Sequence, residues 1–210
     1  MRTELLIGDR ITNNLSEHLG SNAWDRVSLV IDKGLYEKNA YSRQLIRSLK
    51  KQLKSLSLII NEMPEPDYDY LDKIRTECQE HLQCVVGIGG GSTIDLAKGL
   101  ATLMKNEGKA IDYRGFDKVK YKPLPVVAIP TTAGSGSEVT PYAVFIDSKE
   151  NWKFGINSNY NYPKFAFLDS SLLDSCTDEV FASSGMDAMT HTLESFVAKN
   201  ATELSRMYSC

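Results

Sequence analysis

Short apolar runs recur along this chain, each followed by a longer stretch in which apolar residues return every three or four positions. The runs are Glu4–Gly8, Val27–Asp32, Leu56–Ile60, Cys84–Ile88 and Pro125–Pro130. They are rich in Val, Ile and Leu, as strands buried on both faces of a parallel sheet are. Between them, residues 35–56 place Leu45, Leu49, Leu53 and Leu56 at helical spacing, which predicts one helix there. Arg43, Arg47, Lys50, Lys51 and Lys54 crowd the same segment and read as its solvated face rather than as a phosphate site. Strand alternating with helix predicts an α/β fold with a parallel sheet.

The pattern then changes. Tyr142–Asp147, Trp152–Ile156 and Phe165–Asp169 are strand-like runs separated only by loops, and the first two predict a hairpin over "SKEN". From there to residue 210 the pattern is helical. We therefore expect two units, an α/β domain over residues 1–170 and the start of an all-helical one over 171–210. No internal repeat or low-complexity tract interrupts them.

Composition narrows the function classes. The chain has 210 residues, room for one large domain or one domain and part of a second. A formal net charge of −3 gives no reason to expect nucleic acid or an anionic membrane as a partner. No apolar run approaches the roughly 20 residues that span a bilayer. The opening "MRTELLIGDR" has only a short apolar run among Glu4, Asp9 and Arg10, unlike a signal peptide. Cys78, Cys84, Cys176 and Cys210 form no CxxC pair and read as reduced thiols of a cytoplasmic protein.

Three segments carry candidate chemistry. In "VVGIGGGSTIDLAKG" an apolar strand ends in Gly89, Gly90 and Gly91 and opens a helix, a place where backbone N–H groups can hold a phosphate. Ser92 is expected to cap that helix and Asp95 to sit in its first turn. The G-x-G-x-x-G pattern fails, because Ser92 stands where its third glycine belongs, and no G-K-[ST] follows for a Walker loop. In "PTTAGSGSEVT", Thr131, Thr132, Ser135 and Ser137 follow a second strand. Two such loops at the carboxyl ends of parallel strands can face one crevice. In "SSGMDAMTHTLESF", Asp187 and His191 lie four apart on one helical face, half of a divalent metal site or a plain hydrogen-bonded pair. Asp32 closes a strand; a carboxylate there can accept from ribose hydroxyls and repel a 2′-phosphate, favouring NAD over NADP, or can be an ordinary turn residue.

Together "GGGSTIDLAK", "PTTAGSGSEVT" and "GMDAMTHTLES", in this order, resemble the iron-containing (group III) alcohol dehydrogenase family. The resemblance implies a Rossmann-like nucleotide-binding domain, an all-helical domain, and hydride transfer between a small alcohol or aldehyde and nicotinamide in the cleft between them. It implies that Gly90, Gly91 and Ser92 hold the pyrophosphate and that Asp95 sits on the nicotinamide side. Thr131, Thr132 and Ser135 would line the cofactor cleft, and Val144 and Lys153 would touch the cofactor. Asp187 and His191 would be the first two ligands of Fe(II) or Zn(II), a Lewis acid on the substrate oxygen. A homo-oligomer, through an N-terminal strand such as "TELLIG", is also within the family's habits.

The sequence departs from the family at the metal. The family uses one Asp and three His, the last two from later helices, whereas the other histidines here are His18 and His81 in the α/β region. Only 19 residues follow His191 (210 − 191). The expectation is a chain lacking most of the helical domain, with most of the cofactor site, half of the metal site and little activity. Dehydroquinate synthase and the polyol-phosphate dehydrogenases share the architecture, but "GSGSEVT" resembles the alcohol dehydrogenase branch. A non-catalytic nucleotide-binding module is the remaining alternative.

Overall fold

The computed structural model describes residues 2–79, 81–174 and 176–210. Strand β1 (Glu4–Gly8) leads through a 3-10 turn at Ile11–Asn14 to α1 (Leu15–Ser21). Then come β2 (Arg26–Asp32), α2 (Lys33–Lys38), α3 (Ala40–Gln52), β3 (Ser55–Asn61), α4 (Tyr68–Thr76), β4 (Cys84–Gly89) and α5 (Gly91–Leu103). A short β5 (Gly115–Phe116) precedes β6 (Val126–Pro130), β7 (Val144–Asp147), β8 (Trp152–Asn157) and β9 (Phe165–Asp169). Three helices follow: α6 (Ser170–Leu173), α7 (Asp178–Val197) and α8 (Glu203–Tyr208).

Six strands form one parallel sheet in the order β1-β9-β6-β4-β2-β3. Strand side chains alternate between its faces, and both faces are covered. Val27, Leu29 and Ile31 point into a core shared with Leu15, Leu45, Ile46 and Leu49 of α1 and α3. Val30, Val85 and Val126 point into the opposite core with Leu71 of α4 and Leu96 and Leu100 of α5. That double coverage explains why β2 and β4 read as continuous apolar runs. The expected hairpin is present, with β7 and β8 antiparallel and β5 added beside β8.

The single helix expected over residues 35–56 is not one helix. Asn39 leaves the helical region (φ −93°, ψ 116°) and caps α3, accepting from Ser42 N–H at 2.8 Å. The helix ends at Gln52; Leu53 is extended, and Leu56 belongs to β3, paired with Val27. Apolar spacing alone could not separate the last helical leucine from the first strand leucine. The basic residues of the segment do lie on its solvated side, with Arg47, Lys50, Lys51 and Lys54 exposed.

Candidate functional site

The connections leaving β2 and β4 pack on opposite faces of the sheet, α3 on one and α5 on the other. A crevice must open between the carboxyl ends of two strands whose connections diverge in this way. The structure has a cleft of about 1240 Å³ there, with Asp32 at the end of β2, Gly90 and Gly91 after β4, and Thr131 and Thr132 after β6 on its walls.

Gly90, not Ser92, is the N-cap of α5, and no side chain caps the helix. The extended backbone of Gly90 starts the helix one residue after the strand, so Ser92 falls inside the first turn. The N–H groups of that turn are thereby directed at the cleft without a side-chain acceptor across them, which suits an anion. A side chain at Gly91 would not fit, because its Cβ would stand 2.6 Å from Ser135 Oγ. The two loops are therefore in direct apposition, and this backbone cradle fits a pyrophosphate. From below, Asn61 Nδ2 at the end of β3 donates to Thr93 Oγ1 at 3.0 Å, while Thr131 N–H donates to Gly89 O at 3.0 Å.

Asp95 is not in the first turn of α5 either. With the helix starting at Gly91 it lies one turn further in, buried against the second loop while still lining the cleft. It accepts from Val144 N–H at 3.0 Å and from the Ser137 hydroxyl, and Lys98 Nζ lies 3.4 Å from Oδ1. Burial pushes the Asp95 carboxyl above its ordinary value, opposed by the Lys98 charge and the hydrogen bonds. Burial likewise lowers the Lys98 ammonium, opposed by Asp95.

The remaining expected cofactor residues lie on the same cleft. Thr131, Thr132 and Ser135 line it from the second loop, and Val144 and Lys153 from the hairpin, where Lys153 pairs with Glu65. Asp32 lines it too, but its Oδ1 also caps α2, accepting from Leu35 N–H at 3.0 Å. The turn role and the cleft position coexist in one residue. Residue-type reasoning missed Lys98, Asn61 and Thr93. The "D-L-A-K" spacing that puts Lys98 one turn from Asp95 was the available signal for the first; nothing local marks the other two.

Helix α7 reaches the cleft through close backbone approach. A Cβ on Gly134 would overlap the carbonyl of Ser184, so the glycine lets the second loop lie against α7. Val180, Ser183, Asp187 and His191 line the cleft from that helix. His191 Nε2 is 3.6 Å from Asp187 Oδ1, and both side chains are about half exposed. An imidazole and a carboxylate oxygen are suitable donors for Fe(II) or Zn(II). Yet no group of three or more His, Cys, Asp or Glu suited to a metal occurs among the described residues. A catalytic metal usually takes three protein ligands, so the described residues do not make a complete site.

The family model for iron-containing alcohol dehydrogenases matches residues 2–170. The chain is 30% identical over 183 residues to the NAD-dependent methanol dehydrogenase of Bacillus methanolicus, covering 87% of this chain and 48% of that one. Its fold superposes on sulfoacetaldehyde reductase from Bifidobacterium kashiwanohense in complex with NAD+ with a TM-score of 0.90 at 26% identity, covering 99% of this chain and 55% of that one. It superposes on an iron-containing alcohol dehydrogenase from Thermotoga maritima with a TM-score of 0.85 at 32% identity, covering 100% and 57%. The chain spans about half the length of the curated relatives it matches.

Proposed function

This chain belongs to the iron-containing alcohol dehydrogenase family, and on that premise we propose that it binds NAD across the cleft and serves hydride transfer between nicotinamide and a small alcohol or aldehyde. The observation that carries the reading is the apposition of the Gly90–Ser92 turn and the Thr131–Ser137 loop at neighbouring strand ends. Bound NAD supplies the hydride acceptor or donor. The chain's own work is to bind and orient it. The first-turn N–H groups of α5, with Ser92, take the pyrophosphate. Asp32 accepts from the adenosine ribose and disfavours a 2′-phosphate. Thr131, Thr132 and Ser135 form the opposite wall, with Val144 and Lys153 on the hairpin side. Asp95 holds Val144 through its backbone N–H on the nicotinamide side of the cleft.

Asp187 and His191 would give Fe(II) or Zn(II) two donors, and no reaction step is assigned to a metal held by that half-set. It favours a second reading, a nucleotide-binding module without turnover. No helix among the described residues is long and apolar enough to cross a membrane. With its cysteines as free thiols, we place the protein in the cytoplasm. Pairing of chains along the edge strand β1, whose Ile7 is exposed, belongs to the same reading.

The test is a titration of the purified chain with NADH and with NADPH, following nicotinamide fluorescence with and without Zn(II) or Fe(II). Saturable NADH binding, with NADPH weaker by about tenfold or more, is expected. A folded chain that binds neither nucleotide would refute the proposal. Turnover of simple alcohols in the presence of metal then separates the enzyme from the module.

A further inference from the structure

Among the described residues Lys98 is the largest fully buried side chain, and it is not among those lining the cleft. Its ammonium group meets four oxygens. It donates to Tyr142 O at 2.7 Å and to Ser137 Oγ at 3.0 Å, with Asp95 Oδ1 at 3.4 Å and Thr140 Oγ1 at 3.5 Å. Two of those oxygens, from Thr140 and Tyr142, belong to the end of the second loop and the residues that lead from it into the hairpin. One cation thus bridges α5 and the stretch of chain that ends at Val144.

Burying a charge is costly, and a buried ion pair is often replaceable by apolar side chains at no loss of stability. What such a group contributes here is geometry. The loop from Thr131 to Pro141 contains only a 3-10 turn at Ser137–Val139 and no strand, so sheet hydrogen bonds do not set its distance from α5. Hydrogen bonds to Lys98 and Asp95 do.

We propose that Lys98 is a positioning residue, clasping the end of the second loop onto α5 and so fixing the cleft wall formed by Ser137, Tyr142 and Val144. Its link to the cofactor rests on the nucleotide reading above; the clasp does not. Asp95 is the arm of the device that reaches the cleft, and Ser137 joins the two, donating to Asp95 and accepting from Lys98.

The experiment compares the wild-type chain with K98M by amide hydrogen exchange without ligand, by thermal unfolding, and by NADH titration. K98M is expected to speed exchange at Val144 by about tenfold or more while β2 and β4 keep their protection. NADH affinity of the folded variant should fall by about tenfold or more. A lysine that served stability alone would lower Tm, speed exchange across the whole sheet and leave the affinity of the folded fraction unchanged. That pattern, or unchanged protection at Val144, overturns the proposal. Should K98M not fold, S137A removes the bridging hydroxyl while keeping the charge pair, and the same local rise at Val144 is expected; its absence is equally fatal. Failure of the wild-type chain to bind NADH would sink the cofactor reading, and the ligand-free exchange would still decide the clasp.

Discussion

Helices α5 and α7 both begin at the cleft, yet eleven of the thirteen residues of α5 are buried and none of the twenty residues of α7 is. Helix α5 is packed on all sides. The sheet lies on one flank, and α4 and the hairpin approach so closely that a Cβ on Gly99 would meet Phe145 at 2.6 Å and Leu71 at 2.7 Å. Helix α7 has a cleft face with Asp187 and His191, while Met189 and Phe196 on its opposite side and Phe181 on its flank are exposed. Their amino ends differ in the reverse sense. Helix α5 has no side-chain cap and no acidic residue in its first turn. Helix α7 has Thr177 accepting from Val180 N–H, with Asp178 and Glu179 following. The well-anchored helix keeps its positive end open, and the loosely anchored one has its own neutralised. The amino end of α5 is therefore better suited to an anion than that of α7. What α7 can offer is side-chain donors on a helix whose position depends on few contacts.

The comparison can be broken most decisively in the core. Leu100→Ala in α5 should cost about 3 kcal/mol by urea denaturation, because the site is enclosed on every side. Leu193→Ala in α7 should stay within about 0.5 kcal/mol of wild type. Equal losses would mean that α7 is as firmly packed as α5.

Glycine substitutions sharpen the contrast at the cleft. Gly91→Ala must push Ser135 away, and NADH affinity should fall by about tenfold or more in a fluorescence titration. Gly185 of α7 has nothing within 4 Å of an added Cβ, so Gly185→Ala should leave affinity unchanged and stabilise the helix by at most about 1 kcal/mol.

Asp169 stands where the buried layers hand over to the exposed helices. Burial by itself would raise its carboxyl, but hydrogen bonds from Ser171 and Thr12 outweigh it and hold the group below its ordinary value of 3.8. Its contribution is therefore present above about pH 4 and lost as pH falls through the lower folded value. Asp169→Asn should be less stable by about 1–3 kcal/mol above pH 4, and the two stability curves should converge below pH 3.8. Parallel curves would show that the carboxylate charge is not what Thr12 and Ser171 recognise. The smallest effect is expected at the metal. A two-donor site binds weakly, so His191→Ala should reduce zinc retained after dialysis, measured by elemental analysis, only a few-fold. Stoichiometric zinc that survives the substitution would place the metal elsewhere.

Much of this was legible from residue order. The parallel strands announced themselves because burial on both faces demands apolar residues at consecutive positions, as in "VSLVID" and "CVVGIG". The hairpin over "SKEN", the glycine turn after β4 and the i,i+4 relation of Asp187 and His191 are local facts, and local spacing suffices for them. Where apolar spacing is continuous across an element boundary it could not decide. Asn39 breaks the helix locally by capping α3, and pairing with β2 moves Leu56 from helix to strand. The cap of α5 is Gly90 rather than Ser92 because Gly90 is extended directly after β4, and the second loop then lies against Gly91 from a residue 44 positions away (135 − 91). The burial of Asp95 was likewise not local: Ser137 and Val144 reach it only once β4 and β6 are neighbours. Sequence by itself determined the longer buried strands, the hairpin turn and the inventory of reactive groups, since these follow from periodicity and backbone preference. Tertiary structure decided which groups are buried together, since desolvation and charge pairing depend on neighbours that only the folded sheet supplies.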